Sequence, residues 1–251
     1  MTELGVPVFN TPGANANAVK ELVLCGLLLA SRGIYEGAAH MRQLHAEGTA
    51  HERIEKDKAL FGGRELAGKT IGVVGLGAIG ASVAHSAIAL GMDVVGYDPG
   101  LSVEGALRLP GSDMEMADLE TLCAKADYVS LHAPYIKDVT HHLLSAELIA
   151  KLKPNASILN FARGELVDEA ALAAALRSGQ VGAAALDVHA AEPYRHATSP
   201  LAAAPNCFHA PHSAWYSPES RTEMREKGAR AARRAIAREE PRNVVNAAWL
   251  A

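Results

Sequence analysis

The chain has few cysteines, no long hydrophobic run and no excess of positive charge. Its three cysteines, Cys25, Cys123 and Cys207, lie far apart without paired spacing, which argues against a disulfide framework and a zinc site. The longest apolar run, Leu22 to Ala30, is far too short to cross a bilayer. The N-terminus lacks the basic, apolar and small-residue regions of a signal peptide, so we expect a cytoplasmic protein.

The net charge of −4 argues against a partner that is a nucleic acid or a membrane surface. At 251 residues the chain is long enough for one large domain or two small ones. Its apolar share of 49% is ordinary for a globular protein with a well-formed core.

From Lys69 onward, short β-branched runs alternate with amphipathic segments. The predicted strands are Thr70 to Val74, Asp93 to Tyr97, Tyr128 to Leu131, Ser157 to Asn160, Ala183 to Val188 and Asn206 to His209. The predicted helices among them are Ile79 to Leu90, Met114 to Ala124, Ser145 to Lys151 and Asp168 to Ser178. Such alternation predicts an α/β fold with a Rossmann-type doubly wound parallel sheet.

The two ends of the chain have different patterns. Val6 to Phe9 is predicted as a short strand, and residues 40–64 as a second helix or an extended arm. The helix predicted from Ala16 to Ser31 is apolar on nearly every face, so we expect it to be buried against the domain and a partner subunit. A last helix, capped by Ser217, is predicted to continue to about Arg238.

A glycine-rich turn follows the first predicted strand of the sheet. The GxGxxG pattern has glycines at Gly75, Gly77 and Gly80, with Ala78 and Ile79 between the last two. A strand enters it and a helix leaves it, which is the context that a dinucleotide-binding turn requires. The first glycine permits the tight turn, the second lets the pyrophosphate approach the backbone, and the third allows close helix–strand packing.

Asp98 ends the next predicted strand. A carboxylate there accepts hydrogen bonds from the ribose hydroxyls of the cofactor and repels a 2′-phosphate. The sequence therefore predicts NAD as the cofactor in preference to NADP.

Two other patterns are less well supported. Residues 63–70 match the P-loop pattern, but they precede a strand instead of opening a helix, so their N–H groups would not converge on a phosphate. The histidine pairs His209 with His212 and His189 with His196 lie on strand ends and loops without a compact ligand set, so no metal is expected.

Three consecutive strand ends carry polar side chains suited to hydride transfer. Arg163, Glu192 and His212 follow these strands, and ligands of open α/β sheets bind at the carboxyl ends of strands. Histidine is a natural proton donor to a carbonyl oxygen, a carboxylate orients the imidazole, and an arginine binds a substrate carboxylate bidentately. Each has an alternative role: Arg163 in an ion pair, Glu192 as a loop cap and His212 as a packed histidine.

The motifs at residues 74–80, 160–164, 185–193 and 211–212 together resemble the D-isomer-specific 2-hydroxyacid dehydrogenases. This resemblance implies Arg163 as carboxylate binder, His212 as acid/base and Glu192 as its partner. It also implies a homodimer built through the cofactor domain. The implied NAD contacts are Ala78, Ile79, Asp98, Ala133, Pro134, Phe161, Ala162 and Asp187.

The resemblance differs along the chain. Residues 9–22 are similar to bacterial 3-phosphoglycerate dehydrogenases, whereas residues 211–217 are similar to the C-terminal-binding-protein branch, in which the tryptophan at Trp215 lines the substrate pocket. The resemblance implies a flavodoxin-like substrate domain at the start of the protein, and we expect most of that domain to be missing from this sequence. We therefore predict an NAD-binding domain over residues 16–214, with remnants of the substrate domain at 1–15 and 215–251.

These observations favour an NAD-dependent oxidoreductase that interconverts a small 2-keto acid and its D-2-hydroxy acid. Two alternatives remain open. One is an NAD(H)-binding module without turnover, because the substrate domain is cut, and the other is a 3-phosphoglycerate dehydrogenase.

Overall fold

Seven parallel strands form one sheet in the computed structural model, which describes residues 1–237, 239 and 243–246. They are β1 (Thr70–Val74), β2 (Asp93–Tyr97), β3 (Met114–Met116), β4 (Tyr128–Leu131), β5 (Ala156–Asn160), β6 (Val181–Leu186) and β7 (Cys207–His209). Their spatial order is β3-β2-β1-β4-β5-β6-β7. The order reverses between β1 and β4, which opens a crevice at the carboxyl ends of these strands. The predicted Rossmann-type fold is confirmed.

Helices cover both faces of the sheet. In chain order they are α1 (Ala16–Ser31), α2 (Ile34–Glu47), α3 (Ala50–Asp57), α4 (Ala78–Ala89), α5 (Val103–Ala106), α6 (Leu119–Lys125), α7 (Ala146–Lys151), α8 (Glu169–Ser178) and α9 (Pro218–Ile236). α1 and α4 share one apolar cluster with the sheet, and α6, α7 and α8 share the other.

The central strands bury side chains on both faces. In β1, Ile71 and Val73 join the cluster beneath α1 and α4, while Val74 joins the opposite cluster. β5 divides in the same way, with Leu159 on the first face and Ile158 on the second. Because side chains on both faces of the sheet are buried, these strands do not alternate between apolar and polar residues.

The helix predicted from Met114 to Ala124 is wrong in its first part. Residues 114–116 instead form the edge strand β3, in which Met114 is paired with Val94 of β2. The helix α6 begins only after Asp118, whose side chain accepts a hydrogen bond from the backbone N–H of Thr121. Asp118 thus separates strand from helix by capping the first helical turn.

The strand predicted from Val6 to Phe9 is also wrong. Only Phe9 forms a β-bridge, to Val244, and the side chains of Val6 and Val8 are 42% and 36% exposed. Residues 40–64, predicted as a helix or an extended arm, contain helix α3 and the end of α2. His40 and Arg53 both contact the carboxylate of Asp57, which joins the two helices.

α1 is buried on its inner face, where Val19, Val23 and Leu27 pack against the domain, while Leu28 is 45% exposed. Burial of the outer face by a partner subunit stays a prediction. Within the described residues no single helix is long and apolar enough to cross a membrane; α1 and α2 reach that length and hydropathy only as a pair bent by 67°.

Residues near the start of the chain contact the described segment 243–246. The side chain of Asn246 accepts a hydrogen bond from the N–H of Val8 and donates one to the carbonyl of Val6. The predicted domain boundaries stay predictions, and part of the remnant at 215–251 lies outside the described residues. The last helix begins as predicted after Ser217 and ends at Ile236, and Arg238 lies outside the described residues.

Candidate active site

The glycine turn between β1 and α4 is closely packed at two of its three glycines. Gly75 has φ +91°, and a Cβ there would lie 2.6 Å from the backbone nitrogen of Ala133. A Cβ on Gly80 would lie 1.9 Å from the carbonyl oxygen of Gly75. Around Gly77, by contrast, a Cβ would meet no atom of the described chain within 4 Å. The open side of the turn is therefore at Gly77.

Helix α4 starts at this open side. Gly77 is its N-cap, Ala78 and Ile79 are among its first residues, and no side chain caps the first turn. The free N–H groups and the positive end of the helix dipole are the donors that a pyrophosphate needs. The turn therefore fits the predicted dinucleotide.

The carboxylate of Asp98 accepts two backbone hydrogen bonds, from Leu76 at 2.8 Å and from Gly100 at 2.9 Å. It borders a small cavity of about 200 Å³ that Gly77, Glu104 and Arg108 also line. Arg108 forms an ion pair with Glu104. Among the described residues, two carboxylates and one paired cation therefore line this cavity, which disfavours a further phosphate group.

A larger cleft of about 720 Å³ opens at the carboxyl ends of β4, β5 and β6. Most of the residues predicted for the nicotinamide side and the substrate lie in its wall, namely Ile79, Ala133, Pro134, Phe161, Ala162, Arg163, Asp187, His212 and Trp215. Asn15, Val19, His132, Tyr135, Ala214 and Met224 complete the lining. Glu192 is outside this wall and reaches the cleft through His212.

His212 and Glu192 form a hydrogen-bonded pair. The Nδ1 atom of the imidazole lies 2.8 Å from a carboxylate oxygen of Glu192, and the two side chains are 41% and 42% exposed. An ionised carboxylate only accepts hydrogen bonds, so Nδ1 carries the proton and Nε2 is left for another partner.

Asp187 holds the segment that carries His212. Its carboxylate accepts the N–H groups of Ser213 at 2.9 Å and Ala214 at 2.8 Å, and its carbonyl accepts the N–H of His212 at 2.8 Å. The backbone of His212 has φ +54°, which few non-glycine residues adopt. The three hydrogen bonds that Asp187 accepts therefore stabilise the unusual turn that presents the imidazole of His212.

Arg163 lies on an exposed turn directly after β5. The buried side chain of Asn160 shapes this turn, because it donates to the carbonyl of Arg163 and accepts from the N–H of Ala162. The guanidinium of Arg163 donates to the carbonyl of Ala162, and no carboxylate among the described residues lies within ion-pair distance of it. The alternative role of Arg163 in an ion pair therefore has no support in the described part of the chain.

Comparison with known proteins decides the family. Residues 25–214 match the D-isomer specific 2-hydroxyacid dehydrogenase family, NAD binding domain. The chain belongs to this family. The match covers most of the chain and confirms both the suspected relationship and NAD as the cofactor of this domain.

Individual relatives of this chain carry different names. The chain is 38% identical over 245 residues to a D-3-phosphoglycerate dehydrogenase of Methanocaldococcus jannaschii, covering 98% of this chain and 44% of that protein. A glyoxylate reductase structure from Paecilomyes thermophila has a TM-score of 0.82 at 30% identity, over 97% of this chain and 69% of that one. An acyclic imino acid reductase in complex with NADPH and D-Arg has a TM-score of 0.80 at 30% identity, over 96% and 71%. The chain spans less than half the length of the curated relatives it matches.

His132 is a cleft residue that the sequence analysis missed. It follows β4 directly, its Nε2 atom lies 2.8 Å from the hydroxyl of Ser130, and its Nδ1 atom is buried without a hydrogen-bond partner among the described residues. Burial lowers the pKa of His132 from 6.5 to about 4. The ring is therefore neutral in the folded chain at neutral pH.

This low pKa predicts a loss of stability in mild acid. The unfolded chain takes up the proton at the ordinary pKa of 6.5, before the folded chain does at about 4, so stability falls as the pH falls between these values. We expect His132 to contribute about 2 kcal/mol of the stability lost between pH 7.5 and 5. Urea unfolding of the parent and of His132→Gln, which has no titratable ring, measures that difference. Equal losses in both proteins would contradict the prediction.

The positions of the remaining histidine and cysteine residues bear on a possible metal site. Within the described part of the chain, no three His, Cys, Asp or Glu residues are grouped so that they could hold a metal ion. His189 and His209 lie close together, with ring centroids 5.1 Å apart, but they pack with Tyr194 instead of converging on a common point.

Proposed function

We propose that this chain is an NAD-dependent oxidoreductase that interconverts a 2-keto acid and a D-2-hydroxy acid. The hydrogen bond of 2.8 Å between His212 and Glu192, beside the cleft that Arg163 lines, carries this proposal. Imidazole, carboxylate and guanidinium are the three groups that reduction of a 2-keto acid requires, and they come from three consecutive strand ends.

The roles follow from chemistry. Arg163 binds the substrate carboxylate in a bidentate manner and so turns the neighbouring carbonyl toward the cofactor. His212, held through Nδ1 by Glu192, donates the Nε2 proton to the carbonyl oxygen during reduction and takes it back during oxidation. The cofactor, when bound, supplies or accepts the hydride.

The walls of the cleft support these roles. Ala133, Pro134, Phe161 and Ala162 present apolar surface beside Arg163, and an apolar wall keeps water from the reacting carbon. Asp187 is engaged by the N–H groups of residues 213 and 214, so we assign it to positioning the segment of His212 as well as to the predicted cofactor contact.

NAD preference rests on Asp98. We expect Asp98→Asn, which keeps an acceptor oxygen but loses the negative charge, to improve the affinity for NADPH relative to NADH on the order of tenfold. Fluorescence titration with both cofactors measures this ratio, and Asp138→Asn is a control with the same charge change on an exposed loop. A parent chain that already prefers NADPH would refute the assignment.

The cleft favours a substrate with one anionic group and an apolar side chain. Among the described residues in its lining, Arg163 is the only arginine or lysine, while Trp215 and Met224 present apolar surface. The rival substrate, 3-phosphoglycerate, is supported by the name of the relative from Methanocaldococcus jannaschii. It carries a second anionic group, for which this lining offers no second cation.

The proposal is tested by mixing the purified chain with NADH and a panel of 2-keto acids. The absorbance of the reduced nicotinamide shows whether NADH is oxidised. The panel includes 4-methylthio-2-oxobutyrate and 3-phosphohydroxypyruvate. We expect turnover of the first; turnover of the second alone would favour the 3-phosphoglycerate reaction. NADH binding without turnover of any member would leave the alternative of an NAD(H)-binding module.

We also propose a cytoplasmic homodimer built through the cofactor domain, without nucleic-acid or membrane partners. Large apolar side chains exposed on and beside α1 and α2 support a subunit contact there, namely Leu28, Ile34, Tyr35 and Leu60. Light scattering measures the mass, and Leu28→Glu, placed on the exposed side of α1, is expected to give monomers. A parent that is monomeric at micromolar concentration would contradict the dimer.

A further inference from the structure

The loop after β6 holds Glu192, the proposed partner of His212, away from the body of the sheet. Glu192 is 42% exposed, and its contact with His212 is made from a loop that spans residues 187–194. A half-exposed carboxylate on a loop needs an anchor elsewhere if its geometry is to persist, because side-chain and backbone freedom oppose a single position.

Glu169 provides such an anchor. It is the first residue of α8, and one of its carboxylate oxygens accepts the backbone N–H of Ala190 at 2.9 Å. The side chain of Glu169 is only 14% exposed. Burial alone would raise the pKa of Glu169, but His189 and the N–H of Ala190 outweigh that effect and lower it. The anchor is therefore a charged acceptor at neutral pH.

The peptide that Glu169 holds also touches the turn of Arg163. A Cβ on Gly164 would lie 1.9 Å from the carbonyl carbon of His189 and 2.3 Å from the nitrogen of Ala190. Residue 164 follows Arg163 directly, so the peptide between residues 189 and 190 packs on the backbone that presents the guanidinium. One peptide group thus lies between the Arg163 turn and the Glu192 loop.

The far side of the loop is held by aromatic packing. The rings of His189 and Tyr194 lie 4.1 Å apart, and Tyr194 also stacks on His209 of β7 at 5.4 Å. These contacts flank Glu192 in the chain, at residues 189 and 194. The hydrogen bond from Ala190 to Glu169 holds the first end of the segment 189–194 beside Arg163. It therefore sets the position from which the chain runs to Glu192.

We propose that Glu169 is a positioning residue, which fixes the 189–190 peptide and thereby sets both the Arg163 turn and the Glu192–His212 pair. The proposal rests on the function proposed above. Glu169 is not among the described residues that line the cleft, so its effect on the reaction is expected to pass through the loop.

Three variants of Glu169 separate positioning from mere stability. Glu169→Ala removes the acceptor, and Glu169→Asp keeps the charge but withdraws it by about 1.5 Å. Glu169→Gln keeps an acceptor oxygen at the same reach. Glu147→Ala is the matched control, because it removes an exposed glutamate from the first turn of α7 without touching this loop.

The first measurement is the tautomer of the neutral His212 ring by ¹⁵N NMR, with its signals assigned from the spectrum of His212→Gln. We expect the Nδ1–H form to dominate in the parent, Glu169→Gln and Glu147→Ala. In Glu169→Ala and Glu169→Asp we expect the Nε2–H form to gain population, because Glu192 no longer holds Nδ1. This measurement needs no turnover, so it stands even if the proposed reaction fails.

The second measurement is steady-state kinetics with the preferred 2-keto acid. We expect Glu169→Ala and Glu169→Asp to lower kcat on the order of tenfold and raise KM several-fold, with NADH affinity within about twofold of the parent. Glu169→Gln is expected to restore most of both. Parent-like tautomers and kinetics in the folded Asp variant, or equal losses in the Gln and Asp variants, would overturn the proposal.

Discussion

Replacement of His212 by glutamine is expected to lower kcat by about 10² to 10⁴-fold while NADH affinity changes by only a few-fold. Glutamine has a similar reach but donates no acidic proton at neutral pH. The carbonyl oxygen would then gain its negative charge without a proton donor within hydrogen-bond reach. The glycine turn at residues 75–80, which we propose as the cofactor site, lies on a different part of the sheet edge, so NADH affinity is expected to be kept.

The measurement is steady-state reduction at saturating NADH with varied 2-keto acid, together with a fluorescence titration of NADH. His51→Gln is a suitable control, because His51 is 79% exposed on α3, away from the cleft. A His212→Gln protein with parental kcat would remove His212 from the proton-donor role, whatever its effect on KM.

The Glu192→Gln variant distinguishes the contribution of Glu192 to kcat from that of His212. The amide retains the position of the side chain, but it replaces an ionised acceptor by a neutral group that donates as well as accepts. A smaller loss than that of His212→Gln is therefore expected, because the imidazole remains but its orientation and charge are less well supported.

The sheet was predictable from the sequence because its central strands are buried on both faces. In runs such as Ile71 to Val74 and Tyr128 to Leu131 every residue is buried and most are apolar, and helices flank these runs. Such runs occur when parallel strands are covered by helices on both sides. The observed β1, β2 and β4 have the predicted bounds, β5 and β7 differ from their predictions by one residue at one end, and β6 is shifted by two residues at both ends.

The elements that failed are those without a burial pattern. β3 has three residues at the sheet edge, and Glu115 and Met116 are exposed there, so no periodicity marks it. The valines at Val6 and Val8 suggest a strand by propensity, but no neighbouring strand of the sheet pairs with them. Strand propensity mostly reflects packing on a half-buried surface, which this segment lacks.

The candidate site divides in the same way. Residues in the segments after strands, such as Arg163, Glu192 and His212, could be singled out because parallel strands bring their carboxyl ends to one edge. His132 also follows a strand and could have been found from that signal. Met224 and Glu169 were not predictable, because the first reaches the cleft from α9 and the second acts through a backbone N–H.

Substitution of alanine at Gly77 is expected to abolish most NADH binding without unfolding the protein. The φ of −67° at Gly77 suits any L-residue, and its new Cβ would meet no atom of the described chain within 4 Å. The added methyl would instead occupy the space into which the N–H groups of α4 point. We expect stability to fall by less than about 1 kcal/mol, because alanine is a poorer N-cap than glycine. NADH affinity should fall by tenfold or more, because the methyl keeps the pyrophosphate from its close approach to the backbone.

Gly80→Ala is the matched comparison. In this variant we expect the main loss to be in stability, with the loss of NADH affinity as its consequence. Its Cβ would lie 1.9 Å from the carbonyl oxygen of Gly75 and 3.3 Å from a methyl of Val73, so α4 must move away from β1. That displacement is expected to cost about 3 kcal/mol of unfolding free energy, and the affinity for NADH falls as a consequence. Urea unfolding measures the stability of both variants, and NADH titration measures their affinity for the cofactor. If Gly77→Ala kept parental NADH affinity, the pyrophosphate would not lie at the open side of this turn.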